Sequence, residues 1–146
     1  MAMGHKHPKA KVEPHPSKTP KRAGFDENPM RLKPAWRVGH MEMCHPFGWH
    51  CINGTLALDI ISKLRSFESM TWAEILGARH HAISTEDICK EARERLVALK
   101  MDDQERLISL AFSGKERVWG VLEHNVLTLL WWDPEHTICP SPKKHT

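Results

Sequence analysis

The sequence predicts a small α+β domain, with an N-terminal strand and two to three helices packed on one face of a C-terminal antiparallel three-stranded meander. Three observations carry this. A length of 146 residues suits one domain with a real core. Apolar residues between Leu56 and Leu99 recur at three- and four-residue steps, the period of helices that bury one face. After Asp102-Asp103 that period gives way to runs of branched and aromatic residues separated by turn chemistry, the pattern of consecutive strands.

Residues 1–34 hold six of the ten prolines and almost no large apolar side chains. Such a segment buries too little surface to offset its ordering entropy, so it reads as a disordered basic arm. The domain is expected over 35–146. Trp36–Met43 reads as a short strand, and His45-Pro46-Phe47-Gly48-Trp49 as a turn. Asn53 or Thr55 then caps a helix whose apolar face is Leu56, Ile60, Ile61, Leu64 and Phe67. Thr71-Trp72-Ala73-Glu74 has capping-box spacing and opens a second helix that Gly77 would end. Ser84-Thr85-Glu86-Asp87 opens a third, with Ile88, Ala92, Leu96 and Leu99 as its buried stripe.

Arg106–Phe112, Arg117–Leu122 and Val126–Trp132 form the meander, joined by turns at Ser113–Glu116 and Glu123–Asn125. Asp133-Pro134 stops the last strand, because proline cannot donate to the ladder. The remainder, 135–146, reads as a short basic tail.

Charge is unevenly distributed. The formal net charge is +3. Residues 1–37 carry nine basic groups against three acidic ones, and the remaining 109 residues carry 12 against 15. Basicity of the whole chain is therefore poor support for nucleic-acid binding by the folded part, although a basic arm is a common nucleic-acid contact. No apolar stretch approaches the ~18 residues that span a bilayer. The N-terminal MAMGHKHPKAK has no apolar run behind its charges, so no secretory signal is expected. Four scattered cysteines then suggest reduced thiols in a cytoplasm.

Candidate chemistry narrows by elimination. Cys44, His45, His50 and Cys51 are zinc-ligand types, but their spacing is not that of a ribbon or finger. A packed strand end with buried free thiols is the expectation, and a zinc-stabilised nucleic-acid-binding module a third reading. Neither a nucleophile elbow, a P-loop nor a dinucleotide fingerprint occurs, so no nucleotide cofactor is expected. Cations and imidazoles at loop and strand ends remain: Arg79, His80, His81, Lys115, Arg117, His136, and the terminal Lys143, Lys144 and His145. Such groups suffice to cleave RNA without a metal or cofactor. A base removes the 2′-hydroxyl proton, cations stabilise the phosphorane, and an acid protonates the leaving oxygen.

The stretch RLISLAFSGKERVWGVLEHNVLTLLWWDPEH, Arg106 to His136, resembles the C-terminal half of the RelE/ParE-type toxin superfamily. Gly114, Arg117, the Glu123-His124-Asn125 turn and the Val126–Leu130 run carry the likeness. The WWDPEH segment with the closing KKHT also resembles small uncharacterised bacterial and mobile-element proteins. The RelE branch implies ribosome-dependent mRNA cleavage by 2′-hydroxyl attack, and a cognate antitoxin as partner. By position, Arg117 would grip phosphate and His136 would act as acid or base. Lys115 and His81 are neighbouring candidates. Arg79, His80, Lys143, Lys144 and His145 are the expected nucleic-acid contacts. The chain departs from the family in lacking tyrosine, which several members use near the site, and in a longer, more acidic helical region. The ParE branch lacks the nuclease residues. The alternative is therefore a non-catalytic nucleic-acid- or protein-binding interaction protein of mobile-element origin.

Overall fold

A computed structural model describes residues 28–140 and the isolated Gly4. Five strands, β1 (Ala35–Arg37), β2 (His81–Ser84), β3 (Arg106–Ala111), β4 (Arg117–Glu123) and β5 (Val126–Asp133), form one sheet in the order β1-β5-β4-β3-β2. The helices are α1 (Gly54–Phe67), α2 (Trp72–Ile75) and α3 (Lys90–Ala98). The class is α+β as expected, and β3-β4-β5 is the expected antiparallel meander. β1 pairs parallel to β5, so the sheet is mixed.

Local capping signals translate directly into helix starts. The Asn53 side chain accepts from the Leu56 amide at 2.8 Å and opens α1. Thr71 and Glu74 form the reciprocal capping box of α2. The third start differs from expectation. Ser84 holds a turn instead, its carbonyl accepting from the Asp87 amide at 2.9 Å and its Oγ from the Glu86 amide at 3.3 Å, and α3 begins only at Lys90. Hydroxyl side chains serve turns as readily as caps. Ile88, Ala92 and Leu96 are buried as the periodicity requires. The residues before that turn form β2, a strand not apparent in the sequence. It is a half-exposed edge strand with no apolar alternation, fixed only by pairing with β3.

The helices do not share one face of the sheet. Ile60 and Phe67 of α1 and Trp72 and Ile75 of α2 pack with Leu110, Val118, Leu127 and Trp132. Ile88, Ala92 and Leu96 around α3 pack with Leu107, Trp119, Val121 and Trp131. Val118 and Trp119 are neighbours on one strand, and adjacent side chains point to opposite faces, so the two cores lie on opposite sides. A sheet covered on both faces reads as a continuous apolar run rather than an alternation. The Leu129-Leu130-Trp131-Trp132 sequence is that signal.

A bulge adjusts the sheet to both cores. Trp119 pairs with Trp131 and Gly120 with Leu129, leaving Leu130 unopposed. The Leu130 carbonyl accepts from the Glu42 amide at 3.0 Å and from Trp49 Nε1 at 3.1 Å. Those bonds tie residues 42–49 to the end of β5. Beside the bulge, a Cβ at Gly120 would lie 2.5 Å from the Thr128 carbonyl oxygen, so no larger residue fits without backbone movement.

Two expected boundaries move. Residues 28–34 belong to the fold: Pro29–Arg31 forms a 3₁₀ turn, and the Leu32 carbonyl accepts from the Trp72 amide at 3.0 Å. The rest of the basic arm lies outside the described residues. At the other end, residues 135–139 are a packed loop rather than a tail, because Ile138 is fully buried. Lys143, Lys144 and His145 lie outside the described residues. Among the described residues, no helix is long and apolar enough to cross a membrane.

Candidate active site

The meander places the start of β4 beside the end of β5. Arg117 opens β4 opposite Asp133, the last residue of β5. Asp133 is 1 % exposed, and its carboxylate accepts from the Thr137 amide at 2.9 Å, Thr137 Oγ1 at 3.0 Å and the Ile138 amide at 3.0 Å. Burial of the Ile138 side chain adds about 1.5–3 kcal/mol to that anchorage. The loop between these anchors carries His136, whose backbone sits at φ 57°, a left-handed conformation uncommon outside glycine and asparagine. Asp133, which the sequence marks only as a strand stop, therefore presents His136 at the sheet end.

β2, at the far edge of the sheet, supplies the other half. Arg79, His81, Arg117 and His136 line one cleft of about 450 Å³, together with Ser109 and Trp119. Of the residues selected from sequence, these four converge. Among the described residues, no acidic side chain lines the cleft. Arg79 donates to the Phe112 carbonyl at 3.2 Å, and Arg117 Nη1 donates to the Gly114 and Glu116 carbonyls at 2.8 and 2.9 Å. Both guanidinium groups are thus held by backbone oxygens while their charge is left without a carboxylate partner among the described residues.

Burial and the nearby Arg79 charge lower the Arg117 pKa from its ordinary value, against a smaller opposing pull from Asp133. Burial, then Arg117, likewise lowers the His136 pKa, again opposed by Asp133. At neutral pH the His136 ring is therefore mainly uncharged and able to accept a proton. Two guanidinium groups without an ion-paired carboxylate among the described residues, beside a neutral imidazole, suit binding of a phosphate-type anion and abstraction of a proton next to it.

Two selected residues stand elsewhere. His80 does not line the cleft. Its Nδ1 accepts from the Ala111 amide at 2.9 Å, and its ring meets Phe67 edge-on at 5.0 Å. Burial, reinforced by Lys63, Arg79, His81 and Arg117, lowers its pKa to about 4. A neutral ring that accepts a backbone bond is a structural group. The adjacent His81 opens β2 and lines the cleft. Lys115 is exposed in the turn between β3 and β4 and does not line the cleft either.

Cys44, His45, His50 and Cys51 do not gather into a common centre. His50 Nε2 meets Cys51 Sγ at 3.3 Å, whereas His45 lies 3.6 Å from Glu42. Among the described residues, no group of three or more His, Cys, Asp or Glu is placed to hold a metal ion. All four cysteines are free thiols, but Cys44 and Cys51 are exposed rather than buried, because their turn packs through Phe47 and Trp49 instead. Sequence reasoning missed Trp119 and Ser109 as cleft residues, since each reads as an interior strand position. The Trp119 side chain is fully buried, with its indole N–H unpartnered among the described residues.

Comparison with protein-family models, with curated proteins and with solved structures gives no match for this chain.

Proposed function

We propose that the protein is a metal-independent endoribonuclease of the RelE-like toxin type, acting on mRNA by 2′-hydroxyl attack and neutralised by a cognate antitoxin. The observation that carries this reading is the convergence of Arg79, His81, Arg117 and His136 on one cleft that no carboxylate lines among the described residues. In the reaction, neutral His136 takes the proton from the 2′-hydroxyl, whose oxygen attacks the adjacent phosphorus. Arg79 and Arg117 stabilise the negative charge on the phosphorane oxygens, a contribution realised most fully in the transition state. His81, on the same cleft, gives a proton to the departing 5′-oxygen. The products are a 2′,3′-cyclic phosphate and a 5′-hydroxyl.

The test is cleavage of a defined mRNA by the full chain, alone and with ribosomes, in the presence of excess EDTA. Cyclic-phosphate ends should form, and His136→Ala should slow their formation by about 10²–10⁴-fold. Cleavage that requires a divalent ion, or that survives the His136→Ala substitution unchanged, overturns the mechanism. Absence of cleavage in both settings, with RNA binding retained, favours the non-catalytic nucleic-acid-binding reading.

A further inference from the structure

A second cleft adjoins the first. It has a volume of about 420 Å³ and is lined by Asp59 and Lys63 of α1, Arg79, Phe112, and Gly114 and Glu116 of the β3–β4 turn. Arg79 is common to both clefts, so a chain-like ligand whose phosphate rests on Arg79 and Arg117 has its next unit at the second. The two clefts differ in chemistry. The first carries cations and imidazoles without an acid, whereas the second combines Lys63 and Arg79 with two carboxylates. Asp59 and Lys63 stand one turn apart on α1, yet neither they nor Glu116 form an ion pair among the described residues. An acid-bearing cleft is poorly suited to a second phosphate and well suited to a polar ring that offers both donors and an acceptor.

We infer that the second cleft takes the base of the nucleotide adjoining the phosphate in the first, and that it selects guanine. The inference rests on the RNA reading of the first cleft. Ionised carboxylates only accept hydrogen bonds. Among the RNA bases, guanine alone presents adjacent ring and exocyclic N–H donors on its Watson–Crick edge, next to the O6 acceptor. Asp59 and Glu116 match the donors, and Lys63 matches O6. Adenine and cytosine put an unprotonated ring nitrogen where a carboxylate would meet it, and uracil flanks its single donor with two carbonyls. Unpaired RNA bases are commonly read through these edges.

Binding of 2′-O-methyl pentauridylate, which lacks the free hydroxyl needed for cleavage, tests this on the full chain. It is compared with three versions carrying G, A or C at the central position. The G version should bind roughly 10-fold or more tightly than the others, the discrimination of a good paired base contact. Asp59→Asn and Glu116→Gln should each reduce the ratio of the affinity for the G version to that for pentauridylate. Both positions are on the surface or in a turn, so the variants retain the core. Arg117→Ala should weaken all four alike. Equal affinity for the four sequences, or a guanine preference that survives both substitutions, overturns the inference and leaves the proposed function standing. Failure of all four to bind overturns both.

Discussion

The Glu42 carboxylate is 5 % exposed and accepts from Arg95 Nε at 3.0 Å, from Arg95 Nη2 and from Trp131 Nε1 at 2.9 Å. Arg79 and Arg117, by contrast, line a cleft that has no acidic side chain among the described residues. In the first cluster the charges are matched inside the protein: burial alone would raise the Glu42 pKa, but its hydrogen bonds from Arg95 and Trp131 and the Arg95 charge bring it below the ordinary value. In the second cluster like charges oppose each other. Paired charge locks residues 42–49 to α3 and β5, while unpaired charge remains for a ligand. The same residue types thus serve architecture in one place and recognition in the other, according to what faces them.

The sharpest way to break this contrast is Arg117→Ala. Loss of a phosphate-stabilising donor should slow RNA cleavage by about 10²–10³-fold. Stability in urea should fall by less than about 1 kcal/mol, since the freed carbonyls of the turn reach water. A large loss of stability with unaltered cleavage would make Arg117 an architectural residue. The converse variant is Glu42→Ala. It leaves Arg95 and the Trp131 N–H without their acceptor and should cost about 2–3 kcal/mol, with little change in cleavage by the protein that remains folded. Near-native stability of that variant would remove the structural role assigned to the Glu42 cluster.

Stability against pH separates a third imidazole from the cleft. His80 has a folded-state pKa of about 4 against an ordinary value of 6.5, so the unfolded chain binds the proton more readily between those limits. His80 therefore contributes a loss of stability as pH falls from about 6.5 towards 4, and His136 contributes in the same direction. Glu42 adds its own loss only below about 4.5. Denaturation midpoints across this range should show a shallower fall for His80→Asn than for the unchanged chain. An identical pH dependence would assign the effect to other groups. The smallest effect is expected at Lys115→Ala, where cleavage should change by less than about twofold. A larger change would extend the reacting site to the exposed turn.

Much of the fold is legible in particular residues. Asn53 and the Thr71/Glu74 pair specify helix starts because a cap is a local hydrogen bond, complete within four residues. The meander is legible because branched residues and turn chemistry alternate over short distances. β2 is not, since four half-exposed residues at a sheet edge have no pattern until β3 pairs with them. The packing of helices on both faces was encoded in the unbroken apolar run of β5, a signal easily read as ordinary strand hydrophobicity. At the site, His81 and His80 are adjacent in sequence and chemically identical. Only the tertiary fold brings His81 to the cleft and His80 to the Ala111 amide.

The sequence by itself determined the α+β class, the order of most elements and the set of cations and imidazoles from which a site could be drawn. These depend on short-range propensity, periodicity and residue chemistry. The tertiary structure decided which members of that set act together. Arg79 and His81 lie far along the chain from Arg117 and His136, and they meet only because β2 pairs with β3 while Asp133 and Ile138 fold the last loop back. Proximity across a sheet is fixed by register and burial between distant segments, and no local pattern contains it.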